Sequence, residues 1–229
     1  MKISGFQKIT LIDYPGKIAS TLFVSNCNFR CPYCYNSDLV FDKNTGDFKK
    51  EKVFKILNQR IKFIGGVCIT GGEPTLHEDL PEFISEIKEL NLLVKLDTNG
   101  TNPKMLEHLI KNKLVDYIAM DIKAPLDKYN KVTNSNIDIK KIKESINIII
   151  NSGIDHEMRT TILPSLHTKR DVIEIAKTIK SAKRYFIQQF VSNVKLLNPK
   201  LENSKTFTDN ELESIKKECD KYIKTEIRK

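Results

Sequence analysis

At 229 residues, with 40% hydrophobic and 29% charged side chains, the chain suits one water-soluble domain with a sizeable core. No run approaches the roughly 18 consecutive apolar residues of a membrane span, and Met1-Lys2-Ile3-Ser4-Gly5 does not begin a signal peptide, so no membrane role and a cytoplasmic setting are expected. The net charge of +9 comes from lysines scattered along helical stretches such as Lys140-Lys141-Ile142-Lys143-Glu144, which reads as solvated helix surface and argues against nucleic acid.

Residues 1–18 form an extension: strand formers over Gly5–Ile12, then Pro15-Gly16, whose fixed and permissive φ angles make a turn. Ala19–Ser25 reads as a buried strand by its length and apolar, β-branched content. A cysteine-bearing loop follows, then a helix over Lys49–Lys62 with Val53, Phe54, Ile56 and Leu57 on one face. The alternation then repeats. Strands are predicted at Gly66–Thr70, Leu92–Leu96, Val115–Met120, His156–Leu163 and Tyr185–Phe190. Helices are predicted near Leu80–Leu90, Pro103–Lys111, Ile139–Asn151 and Arg170–Ser181. After an irregular stretch, a last helix begins near Asp209, with Thr208 as N-cap and Glu211 in its acidic first turn.

Strands alternating with helices mean βαβ units and a parallel sheet. Six units are too few for a closed eight-unit barrel of about 250 residues. The fold class is therefore α/β, a partial (β/α)6 TIM-type barrel of parallel strands with an N-terminal β-hairpin-like extension. One domain is expected, with extension 1–18, core 19–190 and a C-terminal loop and helix over 191–229.

Three of the five cysteines, Cys27, Cys31 and Cys34, lie within eight residues at a C-x3-C-x2-C spacing. Cytoplasmic thiols stay reduced, so a clustered triplet points to metal rather than disulfides. Three soft thiolates suit iron–sulfur, copper(I) or zinc. A structural zinc wants four ligands, for which His77 is a candidate. A four-iron cluster on three cysteines leaves one iron free for a non-protein ligand. Cys68 and Cys219 lack a nearby cysteine partner and read as packing residues.

The other unusual residues gather where a parallel sheet binds ligands, beyond the carboxyl ends of its strands. Gly71-Gly72-Glu73 follows the second strand of the core, Asp97-Thr98-Asn99 the third, and Asp121 and Lys123 the fourth. Gln188 and Gln189 lie near the end of the sixth. Arg159, inside the fifth, must point into the barrel. Glycines allow close backbone approach, Glu73 could hold an ammonium group, and Lys123 and Arg159 suit a carboxylate. Asp97, Thr98 and Asp121 form a hard-oxygen cluster for a small cation. A plain turn at Gly71-Gly72 and a helix cap at Asp97–Gly100 are the unspecialised readings.

These motifs resemble the radical S-adenosylmethionine (radical SAM) enzymes, and within them the glycyl-radical-enzyme activating proteins, most of all the activator of anaerobic ribonucleoside-triphosphate reductase. The resemblance runs to about Phe190 and rests on Leu11–Lys17, the cysteine loop, Gly71–Pro74, Asp97–Gly100, Asp121-Ile122-Lys123 and Met158-Arg159. It implies a [4Fe-4S] cluster on Cys27, Cys31 and Cys34, with SAM chelating the open iron and cleaved by one electron. It also implies SAM contacts at Tyr33, Cys34, Tyr35, Gly72, Asp121 and Lys123, and a monovalent cation near Asp97, Thr98 and Asp121; Gly71, Glu73, Asn99, Arg159 and Gln189 join the expected cofactor contacts from their own chemistry and their place in and beyond the strands. Beyond the cluster and SAM, no catalytic side chain is implied. The implied partners are a glycyl radical enzyme and an electron donor such as flavodoxin or ferredoxin. Two features depart from the activators. Tyr35 stands where they usually carry His, and Gln188-Gln189 stand near the position of a SAM-contacting His. The alternative is the same SAM cleavage directed at a small molecule or RNA base, as in 7-carboxy-7-deazaguanine synthases, and a zinc or electron-transfer module is the third reading.

Overall fold

A computed structural model describes residues 1–43 and 45–229. All eight strands join one sheet in chain order: β1 (Ile3–Thr10), β2 (Ala19–Val24), β3 (Gly66–Gly71), β4 (Leu93–Thr98), β5 (Tyr117–Asp121), β6 (Asp155–Ile162), β7 (Tyr185–Gln189) and β8 (Thr225–Arg228). β1 pairs antiparallel with β2, and every later pair is parallel. β1 and β8 remain as the two edges, so the barrel is open. The six expected strand–helix units are present, with boundaries shifted by at most three residues.

The segment 191–229 is not only a loop and helix, as the sequence suggested. It ends in β8, a seventh parallel strand. Four residues carry too little alternation to be read as a strand, and β8 is held by pairing with β7 and by Arg228.

The helices are α1 (Ser37–Val40), α2 (Lys50–Arg60), α3 (Leu80–Glu89), α4 (Pro103–Lys111), α5 (Tyr129–Thr133), α6 (Ile139–Asn151), α7 (Lys169–Thr178) and α8 (Asp209–Cys219). Each long helix buries residues at three- and four-residue spacing: Leu80, Ile84 and Ile87 in α3, Ile142, Ile146 and Ile149 in α6, Leu212, Ile215 and Cys219 in α8. Thr208 and Glu211 cap α8 reciprocally, each side chain accepting the other's backbone N–H.

Strand alternation separates two interiors. Val67, Ile69, Val94, Leu96, Ile118, Met120, Met158 and Ile162 belong to the main apolar core with the helices. The opposite face carries Cys68, Lys95, Asp97, Tyr117, Asp121, Glu157 and Arg159, so the inside of the barrel is largely polar. At its amino end, Tyr14 packs on Tyr117 with ring centroids 6.0 Å apart, beside Ala19 and Ala119. A Cβ on Gly66 would lie 2.9 Å from the Tyr14 ring. The lead-in segment thus folds a plug under the barrel, fixed by a hydrogen bond from Thr21 Oγ1 to Asp13.

Candidate cofactor site

Cys27, Cys31 and Cys34 share one cavity of about 270 Å³ at the carboxyl end of the strands. Its walls include Tyr33, Tyr35, Gly71, Gly72, Glu73, Asp97, Thr98, Asn99, Asp121, Lys123, Arg159 and Gln188. With the exception of Gln189, every site residue expected from the sequence lines this space. Gln189 points the other way because side chains alternate along a strand; its amide donates to Phe207 O at 2.7 Å.

The cysteine loop is clamped from three sides. Arg30 N–H donates to Thr133 O at 3.0 Å and Ser135 Oγ at 2.9 Å, which ties the loop to α5 and the residues just after it. Asn99 Nδ2 donates to Asn28 Oδ1 at 2.8 Å and lies 3.9 Å from Cys27 Sγ. The segment after β7 supplies Leu197 N–H to Cys34 O at 3.0 Å and Asn198 N–H to Pro32 O at 2.9 Å. Tyr35 serves the same segment: its ring stacks on Phe190 (5.9 Å between centroids) and its hydroxyl accepts Val191 N–H at 2.7 Å. An imidazole is too short a lever to do both.

The two glycines allow a close approach, and the partner is the chain itself. Gly72 N–H donates to Val24 O at 2.8 Å, and Glu73 N–H donates to Asn26 O at 2.7 Å. A Cβ on Gly71 would meet Val24 O at 2.5 Å, with φ at +117°, and one on Gly72 would meet Asn26 O at 2.0 Å. Gly-Gly therefore lets this strand end lie flat against the root of the cysteine loop.

Glu73 is buried, and its carboxylate is heavily used. Oε1 accepts from Thr75 N–H at 3.1 Å, from the Thr75 hydroxyl and from Thr98 Oγ1 at 2.7 Å; Oε2 accepts Asn99 N–H at 2.6 Å. Burial still pushes its carboxyl above the usual range, against the pull of those donors. Glu73 thus joins the ends of β3 and β4.

On the cavity floor, Arg159 donates Nε to Asp121 Oδ1 at 2.7 Å and Nη1 to Asp97 Oδ2 at 3.2 Å. Lys123 Nζ donates to Asp121 Oδ2 at 2.9 Å, and Lys95 Nζ to Asp97 Oδ1. Burial alone would raise both carboxyls, but the Arg159 charge, helped by Lys123 at Asp121 and Lys95 at Asp97, holds both below the ordinary range. All four carboxylate oxygens are thereby turned to nitrogen cations, and Thr98 Oγ1 is spent on Glu73. Where the resemblance led to a monovalent cation near Asp97, Thr98 and Asp121, each carboxylate oxygen already faces a nitrogen cation. Sequence reading missed Lys95. Its signal was a lysine in an otherwise apolar predicted strand, two residues before Asp97 and hence on the same face.

Burial raises all three thiols, Cys27 to about 11 and Cys31 to about 12. Tyr33 is buried with its hydroxyl lacking any partner, its ring edge-on to His167. His77 Nε2 sits 2.9 Å from Ser25 O rather than on a cysteine. Among the described residues, no three His, Cys, Asp or Glu side chains are gathered closely enough to hold one metal ion. A single zinc therefore has no assembled ligand set.

The family model for the radical SAM superfamily matches residues 21–190, which hold the whole cavity wall. The chain belongs to the radical SAM superfamily. Radical SAM enzymes use a [4Fe-4S] cluster and S-adenosylmethionine. The donor set here fits that pair: three thiols on one loop, an unpartnered buried hydroxyl, and polar groups from four strand ends facing the same cavity. Cys27, Cys31 and Cys34 would hold the cluster.

Among similar proteins, the "Putative glycyl-radical enzyme activating enzyme" of Methanocaldococcus jannaschii is 37% identical, over 96% of this chain and 92% of its own length. The pyruvate formate-lyase-activating enzyme of Streptococcus mutans is 30% identical over 81% of this chain and 75% of its own. The GTP 3',8-cyclase of Aliarcobacter butzleri is 30% identical over 95% and 68%. Streptococcus suis SuiB bound to S-adenosylmethionine shares the fold, with a TM-score of 0.68 at 14% identity, covering 91% of this chain and 52% of that one. No helix among the described residues is long and apolar enough to cross a membrane.

Proposed function

We propose that this radical SAM enzyme abstracts hydrogen from a backbone glycine of a partner glycyl radical enzyme, with anaerobic ribonucleoside-triphosphate reductase the first candidate. The observation that carries this reading is the state of the cavity's charged groups. Asp97, Asp121, Lys123 and Arg159 are paired with one another or with Lys95, and Glu73 already accepts four hydrogen bonds. Among the described residues that line the cavity, each Asp, Glu, Lys and Arg is already partnered, and abstraction of a hydrogen atom needs no acid or base. The near full-length similarity to a protein named as a glycyl-radical enzyme activating enzyme supports the same conclusion.

When bound, the cluster supplies the electron that cleaves SAM reductively. The chain's residues bind, orient and shield. Lys123 and Arg159 present positive charge for the SAM carboxylate; Gly71, Gly72, Glu73 and Asn99 shape the wall beside Cys27; Tyr33 offers a desolvated hydroxyl; Tyr35 and Gln188 bound the mouth. The protein supplies geometry and a dry site for chemistry that belongs to the cofactor. An electron donor of the flavodoxin or ferredoxin class would feed the cluster.

The similarity to GTP 3',8-cyclases favours a second reading, a small-molecule substrate. To separate the two, reduced holoenzyme is mixed anaerobically with SAM and either a candidate reductase or GTP. A glycyl doublet in the electron paramagnetic resonance spectrum of the reductase is the expected result. 5′-Deoxyadenosine formed with no glycyl signal across the candidate partners would overturn it.

A further inference from the structure

Below the rim, Lys95 occupies the barrel interior at 2% exposure, in register with Cys68 on β3 and Tyr117 on β5. Its Nζ meets Asp97 Oδ1, lies 3.7 Å from Cys68 Sγ and 6.0 Å from the centre of the Tyr117 ring. Cys68 and Tyr117 offer no negative charge there, so the ammonium answers to Asp97. Three cations, Lys95, Lys123 and Arg159, face the two carboxylates of Asp97 and Asp121. A metal ion added at Asp97 and Asp121 would be a fourth positive charge facing two carboxylates whose oxygens each already meet a cationic nitrogen. Those residues therefore do not fit the monovalent cation that the resemblance led us to expect.

We propose that the Lys95 ammonium stands in for such an ion, a countercharge built into the chain that fixes Asp97 and, through Asp97, the Arg159 guanidinium. Arg159 is held by Asp97 on one side and Asp121 on the other, with Glu157 Oε1 at 4.0 Å. Without Lys95, Asp97 Oδ1 is bare inside the barrel. Arg159 is then drawn toward it and away from Asp121, which leaves Asp121 to Lys123 alone and shifts that pair at the cavity. Lys95 is thus a positioning residue: it does not line the cavity, yet it sets two cations that do. The inference holds whichever molecule gives up its hydrogen.

The test compares reconstituted wild-type holoenzyme with Lys95→Met in KCl, NaCl and choline chloride at equal ionic strength, reading Tm and SAM affinity by calorimetry. Wild type is expected to be indifferent to the cation, with Tm constant within about 1 °C and Kd for SAM within about twofold. In choline, Lys95→Met is expected to lose roughly 6 °C or more and to bind SAM about tenfold more weakly. Potassium or sodium, small enough to enter the space left by the ammonium, should restore about half of each loss or more. A purely structural role would not produce that ion-specific rescue. The proposal fails if wild type needs potassium or sodium for its Tm or its SAM affinity, a result that requires no variant. It fails equally if Lys95→Met behaves identically in all three salts.

Discussion

A methyl group at residue 72 would have nowhere to go. Its carbon would lie 2.0 Å from Asn26 O, a backbone atom that cannot rotate aside. Gly72→Ala is therefore expected to displace the root of the cysteine loop and cost about 1–3 kcal/mol, read as lowered iron and sulfide content after anaerobic reconstitution. Two histidines give the fold a defined response to acid. His167 accepts Leu163 N–H at Nδ1 (3.2 Å) and sits 2.8 Å from Lys123 O through Nε2; His156 accepts Lys183 N–H at Nε2 (3.2 Å) and meets Ile154 O at 2.9 Å through Nδ1. Each ring thus needs one protonated and one bare nitrogen, and burial depresses both below the usual 6.5. The unfolded chain takes up these protons first, so their contribution is complete above about pH 6.5 and declines as pH falls below it. Glu73, raised by burial, works in the opposite sense. Tm measured from pH 8 to 5.5 should fall, and less steeply in a His156→Gln/His167→Gln variant; equal slopes would contradict this. At this scale the sequence showed which residues matter better than what they touch. Gly71-Gly72 stood out, but their close contact is with Val24 and Asn26, because which backbone lies opposite a strand end is a tertiary fact.

The last strand is held by a buried charge. Arg228 donates to both oxygens of Glu157 at 2.7 and 2.8 Å, and Tyr117 donates to Oε2 at 2.8 Å. Its guanidinium carbon also lies 3.4 Å from the centre of the Phe186 ring. Glu157 is 1% exposed. Arg228→Ala is therefore expected to strand a carboxylate inside the barrel and cost on the order of 3 kcal/mol, measured by urea denaturation; no change would show that β8 is dispensable. At the other end, Tyr14→Ala should open the plug beneath β3 and β5 at a cost of about 3 kcal/mol. The long elements were legible because the six core strands show their length and apolar, β-branched content and the six long helices their apolar faces. β8, α5 and the 3-10 turn at Pro74–Leu76 were not, since three to five residues carry no period. Gln189 was assigned to the cavity from its position near a strand end; the pleat gives that place to Gln188.

Across the whole molecule, the order β1 to β8 brings residues from distant parts of the chain to one rim. Cys27 follows β2, Glu73 β3, Asn99 β4 and Lys123 β5. That convergence was readable in advance because parallel α/β sheets bind at their carboxyl ends. The charge network under the rim was not, because ion pairs between β4, β5 and β6 depend on register. The most direct test is a count of iron, sulfide and 5′-deoxyadenosine in reconstituted, reduced wild type beside Cys31→Ala. Wild type should hold about four iron and four sulfide per chain and release 5′-deoxyadenosine from SAM, while the variant loses both. A Cys31→Ala protein with its iron and sulfide complete, cleaving SAM at the wild-type rate, would contradict a cluster held by three thiolates.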